Sequence, residues 1–421
     1  MQIAKTRSTE SAHTAIVIGG GIVGLACALQ LQRRGMDTLL VEPLAATRAA
    51  SWGNAGHLAI EQVEPLASRR TLRSFPRRLF SRGGALSLPP GQIATWLPFA
   101  WRLSRAASPT RFESGKAALA KLLRESIPAW RRLGSLADAA DLIADDGHFI
   151  VWETAAGARA GRAQWASTET GEARFRDLTS QESKDLCAML PRTFADAVRF
   201  VGPGRVRDPG ELIDRLQAMF VSAGGERRIA RAQSLKVDGA AASCVLQNGE
   251  TIRADTIVVS AGVGSRALLE PIGHRVPIIA ERGYHLQAKQ CDWPDTPPVV
   301  FEERSMIVSR FRSGLRAASF VEFSSENAAP DPRKWQRLRS HVDALGLPFQ
   351  GACTEWMGAR PTLPDYLPAI GRSARAGNLW YAFGHQHLGL TLAAVTGELI
   401  GSLATGETPT VDTAAFDVDR F

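Results

Sequence analysis

The chain has 421 residues, 45% hydrophobic and 22% charged, enough for two domains or one two-lobed domain and too apolar for a disordered chain. The formal net charge is +8, yet Pro65 to Phe112 holds nine arginines and no Asp or Glu, leaving the remainder nearly neutral. One basic patch is therefore expected rather than a basic surface, which disfavours nucleic acid as a partner.

In chain order, the first 13 residues are polar and lack an apolar core, so they read as a flexible tail rather than a signal peptide. Residues 15–42, "AIVIGGGIVGLACALQLQRRGMDTLLVE", then give a short apolar run, a Gly19-x-Gly21-x-x-Gly24 turn, a helical pattern carrying Leu25, Ala28, Leu29 and Leu31, and a second apolar run ending in Glu42. Gly19 suits the tight turn, Gly21 lets backbone approach a pyrophosphate, and Gly24 lets the helix pack on the strands. The helix N-terminus offers free N–H groups to the phosphates. Glu42 can accept both ribose hydroxyls and disfavours the 2′-phosphate of NADP. This is a dinucleotide site, and by itself it does not separate NAD from FAD.

The stretch 69–105 interleaves arginines with Leu72, Phe75, Leu79, Phe80, Trp96, Phe99 and Trp101. It suits a peripheral membrane contact, a solvated helix face or a docking surface for a partner subunit. The uncharged run 83–101 is broken by glycines and prolines, and no stretch reads as a membrane-spanning helix. The strand-like runs 147–153 and 314–323 suit an antiparallel sheet. Two further strand-to-glycine turns follow, at Thr256–Gly262 and at 379–397, where a helix begins near Leu390. An NAD-dependent dehydrogenase has little need of these turns, whereas a fold that lays an extended FAD across one domain does. The five cysteines form no C-x-x-C pair, which argues against a zinc site or disulfide framework and fits a reducing compartment.

With "SWGNAGHLA" at 51–59, "SAG" at 260–262, "RGYHLQ" at 282–287, "WMGARPTLPDYLPAIG" at 356–371 and "FGHQHLGLT" at 383–391, the chain resembles the D-amino acid oxidase/dehydrogenase family of flavoproteins. The bacterial D-amino acid dehydrogenases are the nearest branch, and "GHQHLGLTLAA" is similar to D-proline and hydroxy-D-proline dehydrogenases. Ser260 stands where members usually carry Ala. The resemblance spans Ala15 to about Gly406. It implies a Rossmann-like FAD lobe of glutathione-reductase type (α/β) and a second, α+β lobe on an antiparallel sheet. The FAD lobe would take 14–66, 195–272 and 352–412, and the substrate lobe 67–194 and 273–351.

The implied reaction is oxidative deamination of a D-amino acid, D-proline or cis-4-hydroxy-D-proline foremost. A hydride passes from Cα to flavin N5, and the electrons go on to a quinone or other respiratory acceptor. An oxygen-using glycine/sarcosine-type oxidase and a non-catalytic flavin-binding membrane adaptor are the alternatives. A cytoplasmic location is expected, peripheral on the inner face of the membrane if 69–105 binds it.

Arg360 matches the family's carboxylate-binding arginine, against a structural arginine bonded to Asp365 or a carbonyl. Tyr284 is a pocket residue or a strand tyrosine, and His285 takes the opposite face. The flavin contacts implied are Gly19, Gly21, Ile22, Val23, Gly24, Glu42, Pro43, Ser51, Asn54, Ala55, Gly56, His57, Ala261, Gly262, Arg360, Gly384, His385, Leu388, Gly389, Leu390 and Thr391. The last four would present helix N–H groups to the anionic edge of the reduced ring. Among these, Arg360, Tyr284 and His385 are the candidate catalytic residues. His387 is a pocket wall or a marker of the proline-type branch. No metal is expected, since the other histidines show no ligand spacing with His385 and His387.

Overall fold

The computed structural model describes residues 13–43, 49–238 and 241–421. Of the tail expected over residues 1–13, residues 1–12 lie outside the described residues, while His13 already opens the first strand.

Two apolar runs flanking a twelve-residue helix build the first unit: strand His13–Ile18, helix Ile22–Arg33 and strand Thr38–Glu42. The second strand is buried throughout because a parallel sheet is covered on both faces, so its sequence is a continuous apolar run rather than an alternation. Five parallel strands form this sheet, in the order Glu226–Ile229, Thr38–Glu42, His13–Ile18, Thr251–Val259, Leu379–Phe383, with Ala369–Arg372 antiparallel at the edge. The start of Thr251–Val259 also carries the antiparallel pair Ala241–Leu246 and Ala232–Asp238. All three glycine turns read from the sequence follow neighbouring strands of this sheet, which brings Gly19, Ala261 and Gly384 to one sheet end.

Helix Gly389–Ala404 packs on helix Ile22–Arg33 at backbone distance: a Cβ on Gly397 would lie 2.7 Å from the Ala26 carbonyl oxygen. The segment Gln386–Ala404 is long and apolar enough to cross a membrane, contrary to the sequence reading, but most of it is buried in the core. It is hydrophobic all round because the sheet, helix Ile22–Arg33 and the 28-residue helix Pro109–Leu136 enclose it.

The second sheet runs Gln350–Thr362, Ile279–Gln290, Gly314–Ser324, Met306–Phe311, Val299–Phe301, His148–Trp152, Asp196–Val201, Arg174–Asp177. Each adjacent pair is antiparallel except Val299–Phe301 with His148–Trp152. Helix Pro332–Leu345 covers one of its faces over Tyr284 and Leu286, with the helix's own Trp335 packed on Tyr284. Strand Asp196–Val201 and residues 352–362 of strand Gln350–Thr362, which the sequence partition gives to the FAD lobe, hydrogen-bond into this second sheet. The two sheets meet where Thr362 bridges His385.

Candidate functional site

The first glycine turn is shaped by what lies behind it. Gly19 has φ +114° and abuts Ser260, the residue that opens the second glycine turn. Gly20, which the motif reading passed over, lets the Glu42 carboxylate lie against the loop, since a Cβ there would sit 1.9 Å from Glu42 Oε2. Glu42 is 2% exposed and its Oε1 accepts from Arg227 Nε at 3.0 Å. The carboxylate is thus held in place at the end of its strand, with Oε2 turned to the turn. Helix Ile22–Arg33 starts at Gly21, with Ile22 and Val23 in its first turn and Gly24 packed on the Gly19 carbonyl. Ile22 N donates to Ser51 Oγ at 3.1 Å, which brings the 51–56 loop to the same helix end. Pro43 is exposed just beyond Glu42.

That loop is clamped from below. Arg316 is 2% exposed, and its guanidinium donates to the carbonyls of Trp52 and Asn54 at 2.9 and 2.5 Å and to Gln287 Oε1. Desolvation lowers its pKa to about 9. Asn54 Oδ1 accepts from Gly56 N, and the Ala55 carbonyl accepts from Ser309 Oγ at 2.7 Å. His285 Nδ1 donates to the Gly53 carbonyl at 3.1 Å, and its ring stacks on Trp356 at 4.9 Å. The backbone that should run beside a flavin ring is therefore fixed by side chains of the second sheet.

Arg360 stands opposite Glu281 in the paired strands, with Gly283 opposite Gly358 and His285 opposite Trp356 on the same face. Its guanidinium lies over Gly283 and donates through Nη1 to Glu281 Oε1 at 3.3 Å and to the Phe320 carbonyl at 3.2 Å. Glu281 is 1% exposed and also accepts from Thr362 Oγ1 at 3.1 Å and Tyr366 Oη at 3.0 Å. Burial, with Glu281 adding to it, holds the Tyr366 phenol well above its ordinary range, so it stays a donor. Among the described residues, Arg360 Nε and Nη2 have no hydrogen-bond partner. Asp365, one alternative partner read from the sequence, instead binds Arg420.

Tyr284 is absent from this group. Strand alternation sends it to the helix-covered face, where its hydroxyl bonds Glu322 Oε1 at 3.2 Å and its ring meets Trp335 at 5.2 Å. His385 is 2% exposed and its Nε2 meets Thr396 Oγ1 at 3.0 Å, so the imidazole is tied to its own helix while its backbone carries the turn. Burial lowers its pKa to about 3. His387 points elsewhere, to Gln62 Oε1, and desolvation with Arg360 nearby lowers it to about 3. The neighbouring Thr391 Oγ1 accepts from Ala59 N, while Trp130 Nε1 donates to the carbonyls of Leu390 and Thr391. His57 turns its imidazole toward Glu61 and His148.

A family model described as FAD dependent oxidoreductase (DAO) matches residues 14–403. The chain belongs to this family. It is 30% identical to a D-amino-acid oxidase of Bradyrhizobium diazoefficiens, over 98% of this chain and 99% of that one. It is 28% identical to a D-amino acid dehydrogenase of Xylella fastidiosa, over 96% and 95% of the two chains. Among solved structures, glycine oxidase from Geobacillus kaustophilus shares the fold with a TM-score of 0.74 at 17% identity, covering 97% of this chain and 99% of that chain. This DAO-family chain is an FAD-dependent oxidoreductase.

The residues present fit FAD. Two helices, Ile22–Arg33 and Gly389–Ala404, begin at glycine turns without a side-chain cap from their own N-cap residues, which leaves N–H groups for an anion. Gly262 has φ +59° with open space where a Cβ would stand, and Gly389 and Leu388 form the third turn's exit beside Gly384. When bound, FAD supplies the two-electron acceptor of the reaction. Three residues that complete this site escaped the sequence reading: Glu281, Tyr366 and Gln62. The first two lie inside or next to quoted motifs, in "ERGYHLQ" and "LPDYLPAIG", but nothing local marks them as partners of Arg360 across the sheet.

Proposed function

We propose that this chain oxidises the Cα–N bond of a small D-amino acid, D-proline or cis-4-hydroxy-D-proline foremost, and passes the electrons to a quinone or another respiratory carrier from the cytoplasmic face of the membrane. The observation that carries the reading is Arg360. One edge of its guanidinium is held by Glu281 and Phe320, and the other edge keeps Nε and Nη2 for the two parallel N–H···O bonds that a carboxylate accepts. Glu281, with three donors on its two oxygens, fixes the plane of that fork. Neutral His387 adds no second cation that would compete for the carboxylate or repel the substrate's nitrogen. The names of the Bradyrhizobium and Xylella relatives support a D-amino acid, and the "GHQHLGLT" stretch supports a cyclic one.

The respiratory acceptor rests on the basic stretch. Helix Arg69–Arg78 buries none of its residues, and helix Ile93–Ala106 exposes Ile93, Leu97 and Trp101 at 51%, 52% and 64%, one helical face at four-residue spacing. An apolar stripe beside arginines suits an anionic bilayer surface. A vesicle sedimentation assay tests this. The chain should bind phosphatidylglycerol vesicles and leave neutral phosphatidylcholine vesicles in the supernatant, with binding reduced in Leu97→Ser/Trp101→Ser. Equal partition of wild type and variant would contradict it.

A second reading, an oxidase that hands its electrons to oxygen, is favoured by the name of the Bradyrhizobium relative. Turnover of D-proline with a dye acceptor compared with oxygen separates the two. Faster turnover with the dye supports the dehydrogenase, and stoichiometric peroxide supports the oxidase.

A further inference from the structure

Behind the loop that carries Ser51–Gly56, the structure gathers three side chains that the oxidation does not use. His57 belongs to the short strand His57–Leu58, Glu61 lies one turn further along the chain, and His148 opens strand His148–Trp152 of the second sheet. Glu61 and His148 are each 2% exposed. The His57 and His148 rings are 4.4 Å apart, and His148 stacks on Phe200 at 4.7 Å, which fixes its plane. His57 Nε2 lies 3.5 Å from Glu61 Oε1, and one ligating atom from each of the three residues falls within 4.8 Å of the others.

Hydrogen bonds within the protein leave part of this cluster unsatisfied. His57 Nε2, Glu61 Oε2 and His148 Nδ1 are all buried without a partner among the described residues. Orphaned atoms occur elsewhere among the described residues too, but here three belong to ligand-type side chains gathered within 4.8 Å, which suits a cation. We propose that His57, Glu61 and His148 form a binding site for a divalent transition-metal ion of the zinc class. Two imidazoles and one carboxylate are a zinc donor set. The 3.5 Å between His57 and Glu61 is close to the edge of a tetrahedron built from bonds of about 2.0–2.1 Å. Imidazole nitrogen disfavours calcium and magnesium, which take oxygen ligands. Cysteine spacing and the pair His385 and His387 give no sign of zinc in the sequence, because neither reveals His57 and Glu61 meeting His148 from a distant strand.

The ion would bind the segment leading out of the flavin loop to the second sheet, so its role is structural: it anchors Ser51–Gly56 from behind, as Arg316 does from below. The proposal does not depend on the substrate assigned above. The test uses the FAD-loaded protein, stripped with a chelator, incubated with zinc chloride alone and desalted. Elemental analysis should find about one zinc per chain, and X-ray absorption at the zinc edge should show nitrogen and oxygen at about 2.0–2.1 Å with imidazole scattering and no sulfur. Glu61→Gln and His148→Gln should each lose the zinc while keeping the yellow flavin. A yellow wild type that takes up no zinc would overturn the proposal and leave a buried water or shared proton among the three groups. A sulfur shell, or variants that hold zinc as well as wild type, would overturn it too. If both variants lose FAD, the wild-type absorption spectrum decides alone.

Discussion

Glu281 is buried and bonded by three donors, so what it does for Arg360 can be read by changing its charge while keeping its shape. Glu281→Gln retains an acceptor but weakens a charge-assisted bond worth about 1.5–3 kcal/mol, so kcat/KM should fall roughly 10- to 100-fold with the flavin still bound. Tyr366→Phe removes one neutral donor of the same cluster and should cost about 1 kcal/mol in the same measurement. Equal kcat/KM in wild type and Glu281→Gln would mean that Arg360 needs no such support. At this scale the sequence was uneven. Arg360 stands out in the sequence because proline-flanked "GARPTLP" carries the family resemblance, whereas its partner does not, because cross-strand register places Glu281 against it from 79 residues away. Tyr284 and His285 could be separated by alternation, but only the sheet's covered side decides which of them faces the flavin loop.

The elements were easier to read than their partners. Strand, glycine turn and helix at 13–42, and strand, turn and helix at 379–404, stand where their periodicities put them, since each is a local pattern. What local pattern cannot show is that helices Ile22–Arg33 and Gly389–Ala404 touch at their backbones. Gly397 is the contact, and a side chain there meets the Ala26 carbonyl rather than a flexible group. Gly397→Val should therefore cost about 1–3 kcal/mol or more, with urea unfolding as the measure, and should release FAD at lower urea because the helix end expected at the phosphates and the one expected at the flavin ring are both displaced. Wild-type stability in the variant would show that the two helices can part without loss. The pairing of Asp196–Val201 and Gln350–Thr362 into the second sheet could not be read for a related reason: both strands lie at the borders between the two lobes in sequence, and hydrogen-bond partners are not written in strand composition.

Over the whole molecule, burial lowers the pKa of several imidazoles, His57, His148, His285 and His385 among them, and this sets a direction for pH. His385 is lowered from 6.5 to about 3 by desolvation. Between those values the unfolded chain holds a proton on this residue that the folded chain lacks, so stability falls as pH drops below about 6.5 and keeps falling to about 3. His385→Asn should lower the slope of unfolding free energy against pH by up to about 1.4 kcal/mol per pH unit in that window, and an unchanged slope would contradict a neutral His385. The central claim is that Arg360, held by Glu281, orients a D-amino acid carboxylate beside FAD. It is tested most directly by anaerobic mixing of the FAD-loaded protein with D- and L-proline while following the flavin's visible absorption. The account predicts rapid bleaching with D-proline and none with L-proline, and in Arg360→Leu a yellow protein whose bleaching by D-proline is slowed by about 2–5 kcal/mol in kcat/KM. Bleaching of Arg360→Leu at the wild-type rate, or wild-type protein that no D-amino acid bleaches, would contradict it.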